Sequence, residues 1–145
     1  MLAGLLCWGC KQTDVTQVLD RAETCMAERP DSSLYLLRTL DKRHISGSLR
    51  KARYALLYSQ ALDKNYIDVD NDSLIRVAVD YYKGHGTSHE KALAYFYLGR
   101  VYDNAGDETR ATEAFVEAET HALDTDDHYI CLLYTSPSPR DTERS

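Results

Sequence analysis

The chain has 145 residues, with 17 Lys and Arg against 23 Asp and Glu, for a net charge of −6. That length fits one domain with a real core, and 43% apolar residues with only 7 Gly and 3 Pro argue against a disordered chain. The acidic balance, without any Lys/Arg cluster, argues against nucleic-acid binding by this segment.

The first ten residues, MLAGLLCWGC, are apolar and uncharged, and too short to cross a bilayer as a helix. Gly9 before Cys10, with Leu2, Leu5 and Leu6 upstream, resembles the end of a bacterial lipoprotein signal, in which a small residue precedes the Cys that receives lipid. The run lacks the Lys or Arg such a signal carries at its start, and Cys7 stands where an aliphatic residue is usual. A start codon upstream of Met1 would explain the first departure. The competing reading is an ordinary apolar N-terminus packed on the first helix. The polar turn Lys11-Gln12-Thr13-Asp14 favours the signal, because it behaves as a tether. Lipid at Cys10 anchors a protein without a spanning helix. Cys7-x-x-Cys10 has no second pair, so it predicts neither a zinc site nor a thioredoxin-type motif, and Cys25 reads as a small helix residue.

Helical periodicity runs from residue 13 to residue 124, with no long period-two stretch. The first helix is expected over 14–28, with Val15, Val18, Leu19, Ala22 and Met26 on one face. Pro30 is expected to end it, and Asp31 to cap a second helix with the stripe Leu34, Leu37, Leu40. After the break HISGS comes a third helix over about 49–65. Asn71 or Asp72 caps a fourth, ending near Gly84. Thr87-x-x-Glu90 has capping-box spacing and starts a fifth. Gly106 and Asp107 end that helix, and Asp107 and Glu108 sit at the positive end of a sixth. Asp126 is expected to begin a seventh. The fold class is therefore all-α: three helical hairpins, about 14–42, 48–84 and 88–124, within a helical region of 11–130.

Segments offset by 40 residues align, pairing Lys51-Ala52 with Lys91-Ala92, Asp63 with Asp103, Leu34 with Leu74, and Ala78 with Ala118. Repetition of helix pairs predicts an α-solenoid. Tyr95-x-x-Leu98-Gly99-x-x-Tyr102, then Ala111-x-x-x-Phe115, then Ala118, resembles the tetratricopeptide repeat (TPR), a unit of about 34 residues. Tyr95 stands where that pattern has Trp, and its closing Pro is absent near Leu123. Small Gly99 and Ala111 are expected where the two helices approach closely. Leu98, Tyr102, Phe115 and Ala118 are expected to fill the groove between them.

Residues 10–130, with the blocks DRAE, PDSSLYLLRTLD and KARYALLYSQALDKNYI, also resemble exported, often lipidated bacterial TPR proteins. That resemblance implies a protein- or peptide-binding scaffold of the cell envelope, with a cytoplasmic location as the alternative. It also admits a second reading, the sensor part of a membrane-bound regulator whose output domain follows. The TPR likeness implies binding along the concave side, with Arg53, Gln60 and Lys64 on the third helix and Tyr97, Arg100 and Asn104 on the fifth facing the groove. The competing reading of these six is ordinary surface side chains.

His85 and His89 have a spacing compatible with a metal, but no third ligand stands nearby in sequence. Asp68, Asp70 and Asp72 alternate as in a calcium loop, yet Ser73 and Val79 occupy the positions an EF-hand gives to Gly and Glu. No nucleophile–base pair, phosphate loop or zinc motif is visible, so no enzyme activity, cofactor or metal is expected, and membrane contact is expected only through the N-terminal lipid. Back-translated, residues 131–141 (CLLYTSPSPRD) resemble the transposon-end adapter of sequencing libraries, so 131–145 is expected to be a non-native tail. An array cut at that point would leave the face of Phe115 and Ala122 partly uncovered.

Overall fold

The computed structural model describes residues 14–125. Cys10, the helix expected from Asp126 and the tail 131–145 lie outside them. Among the described residues there are six α-helices and no strand: α1 Val15–Cys25, α2 Pro30–Arg38, α3 Ser48–Lys64, α4 Ser73–His85, α5 Ser88–Asn104 and α6 Glu108–Leu123. The expected all-α class holds for this region.

Side-chain caps open three of the six helices. Asp14 accepts a hydrogen bond from the Thr16 amide at the start of α1. Thr87 and Glu90 form the reciprocal capping box at α5, and Asp107 accepts from the Arg110 amide at α6. These side-chain oxygens satisfy amides that the first helical turn leaves without partners. Asn71 accepts from the Ser73 amide ahead of α4.

The first hairpin departs from expectation. α1 stops at Cys25, and Pro30 opens α2 instead of ending α1. Proline suits the first helical position, where its missing N–H has no partner to lose. Asp31 accordingly lies in the first turn of α2, and the preceding residue, Arg29, makes no side-chain cap.

The interval of 40 residues also holds only once. α3 and α5 begin at Ser48 and Ser88, but α1 and α3 begin at Val15 and Ser48. The first pair is built from helices of 11 and 9 residues, the second from helices of 17 and 13.

Consecutive helices pack on each other, and α5 with α6 form the most extensive contact. That pair is antiparallel: Ala92 lies with Ala122, Tyr95 with His121, Gly99 with Phe115 and Tyr102 with Arg110. Ala111, Ala114, Ala118 and Ala122 make the buried stripe of α6, and their small side chains let the two helices approach. α1, α3 and α5 also touch in series. Thr16 meets Arg50 and Asp20 meets Arg53, so position numbers rise together and α1 runs parallel to α3.

Two apolar clusters result. Val18, Leu19, Ala22, Leu34 and Leu37 pack with Tyr54, Leu57 and Ala61. Ile75, Ala78, Val79 and Tyr82 pack with Ala52, Leu56, Leu93, Leu98 and Tyr102. α3 feeds both clusters from opposite flanks. The expected stripe Leu34, Leu37, Leu40 is buried. Ala122 is buried too, against Ala92, and Phe115 is half-buried. The exposed apolar residues of α6 are instead Val116 and Leu123.

Candidate functional site

The repeat-motif residues meet at the α5–α6 seam. Leu98, Gly99, Tyr102, Ala111 and Ala118 are buried. The Phe115 ring covers Gly99 and lies 5.8 Å from the Phe96 ring. Half-buried Tyr95 stacks on His121, with ring centroids 5.8 Å apart. Tyr102 adds a polar function: its hydroxyl donates to Asp72 Oδ2 at 2.8 Å and accepts from Arg76 at 2.5 Å. The Arg110 guanidinium lies 4.5 Å over the same ring, a cation–π distance. One tyrosine thus ties α4, α5 and α6 together.

The six residues expected along the groove lie on α3 and α5, and several bond within the chain. Arg53 bridges to Asp20 at 2.8 Å and Glu23 at 2.6 Å, joining α3 to α1. Burial pulls its pKa down, but the two carboxylates outweigh that and hold it above the ordinary value. Arg100 bonds Asp63 at 3.0 Å and Asp103 at 3.4 Å, joining α5 to α3. Asn104 donates to the Val69 carbonyl. Gln60 and Tyr97 are buried, and Lys64 is half-buried. Tyr97, Arg100 and Asn104 share a small recess with Asp63 and Val69. They close the seam between successive pairs.

Arg53 and Gln60 border something larger, a cavity of about 250 Å³ between α1, α3, α4 and α5. Its apolar wall includes Met26, Leu56, Leu57 and Leu93, and its polar groups are Glu23, Arg53, Gln60, Tyr82, His89 and Glu90. Tyr82 is 2% exposed. Burial pushes its phenol pKa far up, Glu90 adds to the rise, and Arg53 opposes it. Sequence patterning missed Glu23, Tyr82 and Glu90 as cavity residues. Glu90 was legible only as a cap, and no sequence pattern singled out Glu23 or Tyr82. Ser33 was missed as well: it is fully buried, and its hydroxyl donates to the Ala22 carbonyl at 2.6 Å, closing the end of α1 against α2.

His85 stacks on Tyr81 and bonds its carbonyl, while His89 borders the cavity. No group of three or more His, Cys, Asp or Glu among the described residues is placed to hold a metal. No helix among them is long and apolar enough to cross a membrane. No protein-family model, curated protein or solved structure matches this chain.

Proposed function

We propose that this chain is a protein- or peptide-binding scaffold of the tetratricopeptide type, whose stacked helix pairs offer the α1–α3–α5 side to a partner. One observation carries the reading. The first helices of successive pairs are cross-linked in series, by Arg50–Thr16 and Arg53–Asp20, then by Arg100–Asp63, and they leave an open cavity among them. A rigid, grooved surface with mixed apolar and charged lining suits recognition of an extended chain. The motif Tyr95-x-x-Leu98-Gly99-x-x-Tyr102 with Ala111 and Phe115 supports the family reading, because the same residues form the close helix–helix seam. The scaffold is exported and held at the cell envelope by lipid on Cys10.

Photo-crosslinking tests the scaffold role. A photoreactive residue at Lys64 or His89 should capture a partner in the native cell, while one at Glu113 on exposed α6 should not. Equal capture at all three sites, or none, would overturn the reading. Labelled fatty acid should enter the wild type and not Cys10→Ala; equal labelling, or none in either, removes the anchor.

A further inference from the structure

We propose that the end of the array where α1 and α3 begin is a docking surface for an anionic phospholipid bilayer. Five of the chain's 17 Lys and Arg fall between Arg38 and Lys51, against one acid, Asp41. No single basic run marks this patch in the sequence. It is assembled from the end of α2, the doublet Lys42-Arg43 and the doublet Arg50-Lys51, and all five basic residues are exposed. The fold sets them at one end. Ser33, early in α2, bonds Ala22, late in α1, so α2 runs back toward the start of α1. Arg50 in turn donates to Thr16, in the first turn of α1, at 3.1 Å. The segment 38–51 therefore closes on the N-terminus of α1.

Most of this charge is uncompensated. Among the described residues, Arg43 alone of the five is bridged to a carboxylate, that of Asp41 at 2.7 Å. Lys42 lies 5.8 Å over the Tyr58 ring, and Arg50 bonds an uncharged hydroxyl. The start of α3 adds to the patch. Its cap, Gly47, has φ +85° and makes no side-chain hydrogen bond, so the first amides of a 17-residue helix keep their positive end open beside Arg50 and Lys51. Leu49, in that first turn, is 50% exposed. Cations around an exposed apolar side chain suit lipid phosphates with acyl chains beneath them.

The rest of the chain sets the direction. The far end of α3, about 25 Å away, leads into residues 63–72, which carry four Asp and one Lys. The two ends of that helix therefore differ in sign within a chain of net charge −6, and such a distribution turns the basic end toward an anionic surface. The chain also enters at this end. Four residues take it from Cys10 to Asp14, so the cap of α1 lies within about 14 Å of Cys10 whatever path they follow. Charge alone points this end at the bilayer, and lipid at Cys10 would hold it there. One acyl chain with a basic patch anchors more firmly than the acyl chain by itself.

The test uses the full chain carrying Cys10→Ala, so that no lipid contributes, and sedimentation with vesicles. Vesicles of equal parts phosphatidylglycerol and phosphatidylcholine should bind it. Phosphatidylcholine vesicles should bind at least about tenfold more weakly, and the difference should shrink as salt rises. Adding Lys42→Gln and Lys51→Gln together should weaken binding to the anionic vesicles by about fivefold per charge removed. Arg29→Gln, which removes a charge just before α2 at the opposite end, should leave it unchanged. Circular dichroism confirms that each variant is folded. Equal binding to both vesicles would mark insertion of the apolar residues 1–10 and overturns the proposal. So does unweakened binding after the two lysine substitutions, or no binding to either vesicle. A DNA duplex that binds as tightly as the anionic vesicles overturns lipid as the occupant. Partner capture at Lys64 or His89 and fatty-acid labelling at Cys10 judge the scaffold and the anchor separately.

Discussion

A methyl group on Gly99 would lie 2.5 Å from Phe115 Cε1 and 2.6 Å from its Cδ1. Gly99 is therefore glycine for closeness of approach, and the aromatic ring of α6 occupies the space a side chain on α5 would need. Overpacking a core typically costs about 1–3 kcal/mol, against about 1 kcal/mol gained by replacing a mid-helix glycine with alanine. Gly99→Ala should therefore destabilise the wild type. In a Phe115→Ala background the same substitution should be neutral or stabilising, because the clash is gone. Urea denaturation of the four proteins checks this double-mutant cycle, and additive effects would count against it.

Arg100 should matter more than its place on a polar surface suggests. Its side chain is 13% exposed and bonds Asp63 of the preceding helix pair, whose own side chain is 22% exposed. Hydrogen bonds to charged groups contribute about 1.5–3 kcal/mol, so Arg100→Ala should cost about that much. Hydrogen exchange should rise along the facing turns of α3 and α5 first. Arg100→Lys should recover only part, since one ammonium does not reproduce the planar fork that reaches both Asp63 and Asp103.

Much of this was legible in the sequence, because helices are local. Thr87 with Glu90 and Asp107 before α6 announced their caps in four-residue windows. The 3.6-residue period picked out Val18, Leu19, Ala22, Leu34 and Leu37 as core. Pro30 was ambiguous because proline both terminates helices and opens them, and only the chain's path decides between the two. The groove residues were harder still. Arg100 and its partner Asp63 are 37 positions apart, and helical spacing gives a residue's face without saying whether another helix already occupies it. Tyr97 and Gln60 are buried for that reason.

Tyr66 is the second backbone test. Its φ is +58°, the one positive value at a non-glycine residue among the described residues. Behind α3, the Ile67 amide bonds the Leu62 carbonyl and the Tyr66 amide bonds the Asp63 carbonyl. Behind α5, Asp107 bonds Tyr102 and Gly106 bonds Asp103 in the same pattern, with Gly106 at φ +75°. Both helices end in a Schellman motif, whose left-handed position favours glycine. Left-handed backbone costs an L-residue about 1–2 kcal/mol, and Tyr66 is 66% exposed, so little packing offsets it. Tyr66→Gly should stabilise by about 1 kcal/mol and Gly106→Ala should destabilise by a similar amount, both read from urea midpoints. A destabilised Tyr66→Gly would reveal a packing role for that ring.

Stability should fall at both ends of the pH scale, for opposite reasons. Asp72 is held below its ordinary value of 3.8 by the Tyr102 hydroxyl first and by Arg76 next. Asp107 is lowered by the backbone amide of Arg110 and then by its side chain. A carboxylate whose folded pKa is depressed stabilises the fold above its unfolded value. That contribution is lost as pH falls through the lowered folded value. Urea midpoints should therefore drop below about pH 4, and Tyr102→Phe, which removes the leading cause at Asp72, should make that drop shallower. Tyr54 works in the other direction. Burial, with a smaller push from Tyr58, raises its phenol from 10 to about 12. In the unfolded chain that proton leaves near pH 10, while the folded state retains it. The stabilisation is thus complete below pH 10 and declines as pH climbs towards 12. Tyr54→Phe cannot ionise in either state, so it should flatten the alkaline limb and leave the acid limb unchanged. A variant whose alkaline limb matches the wild type would assign the loss to the other buried phenols, with Tyr82 the next to replace.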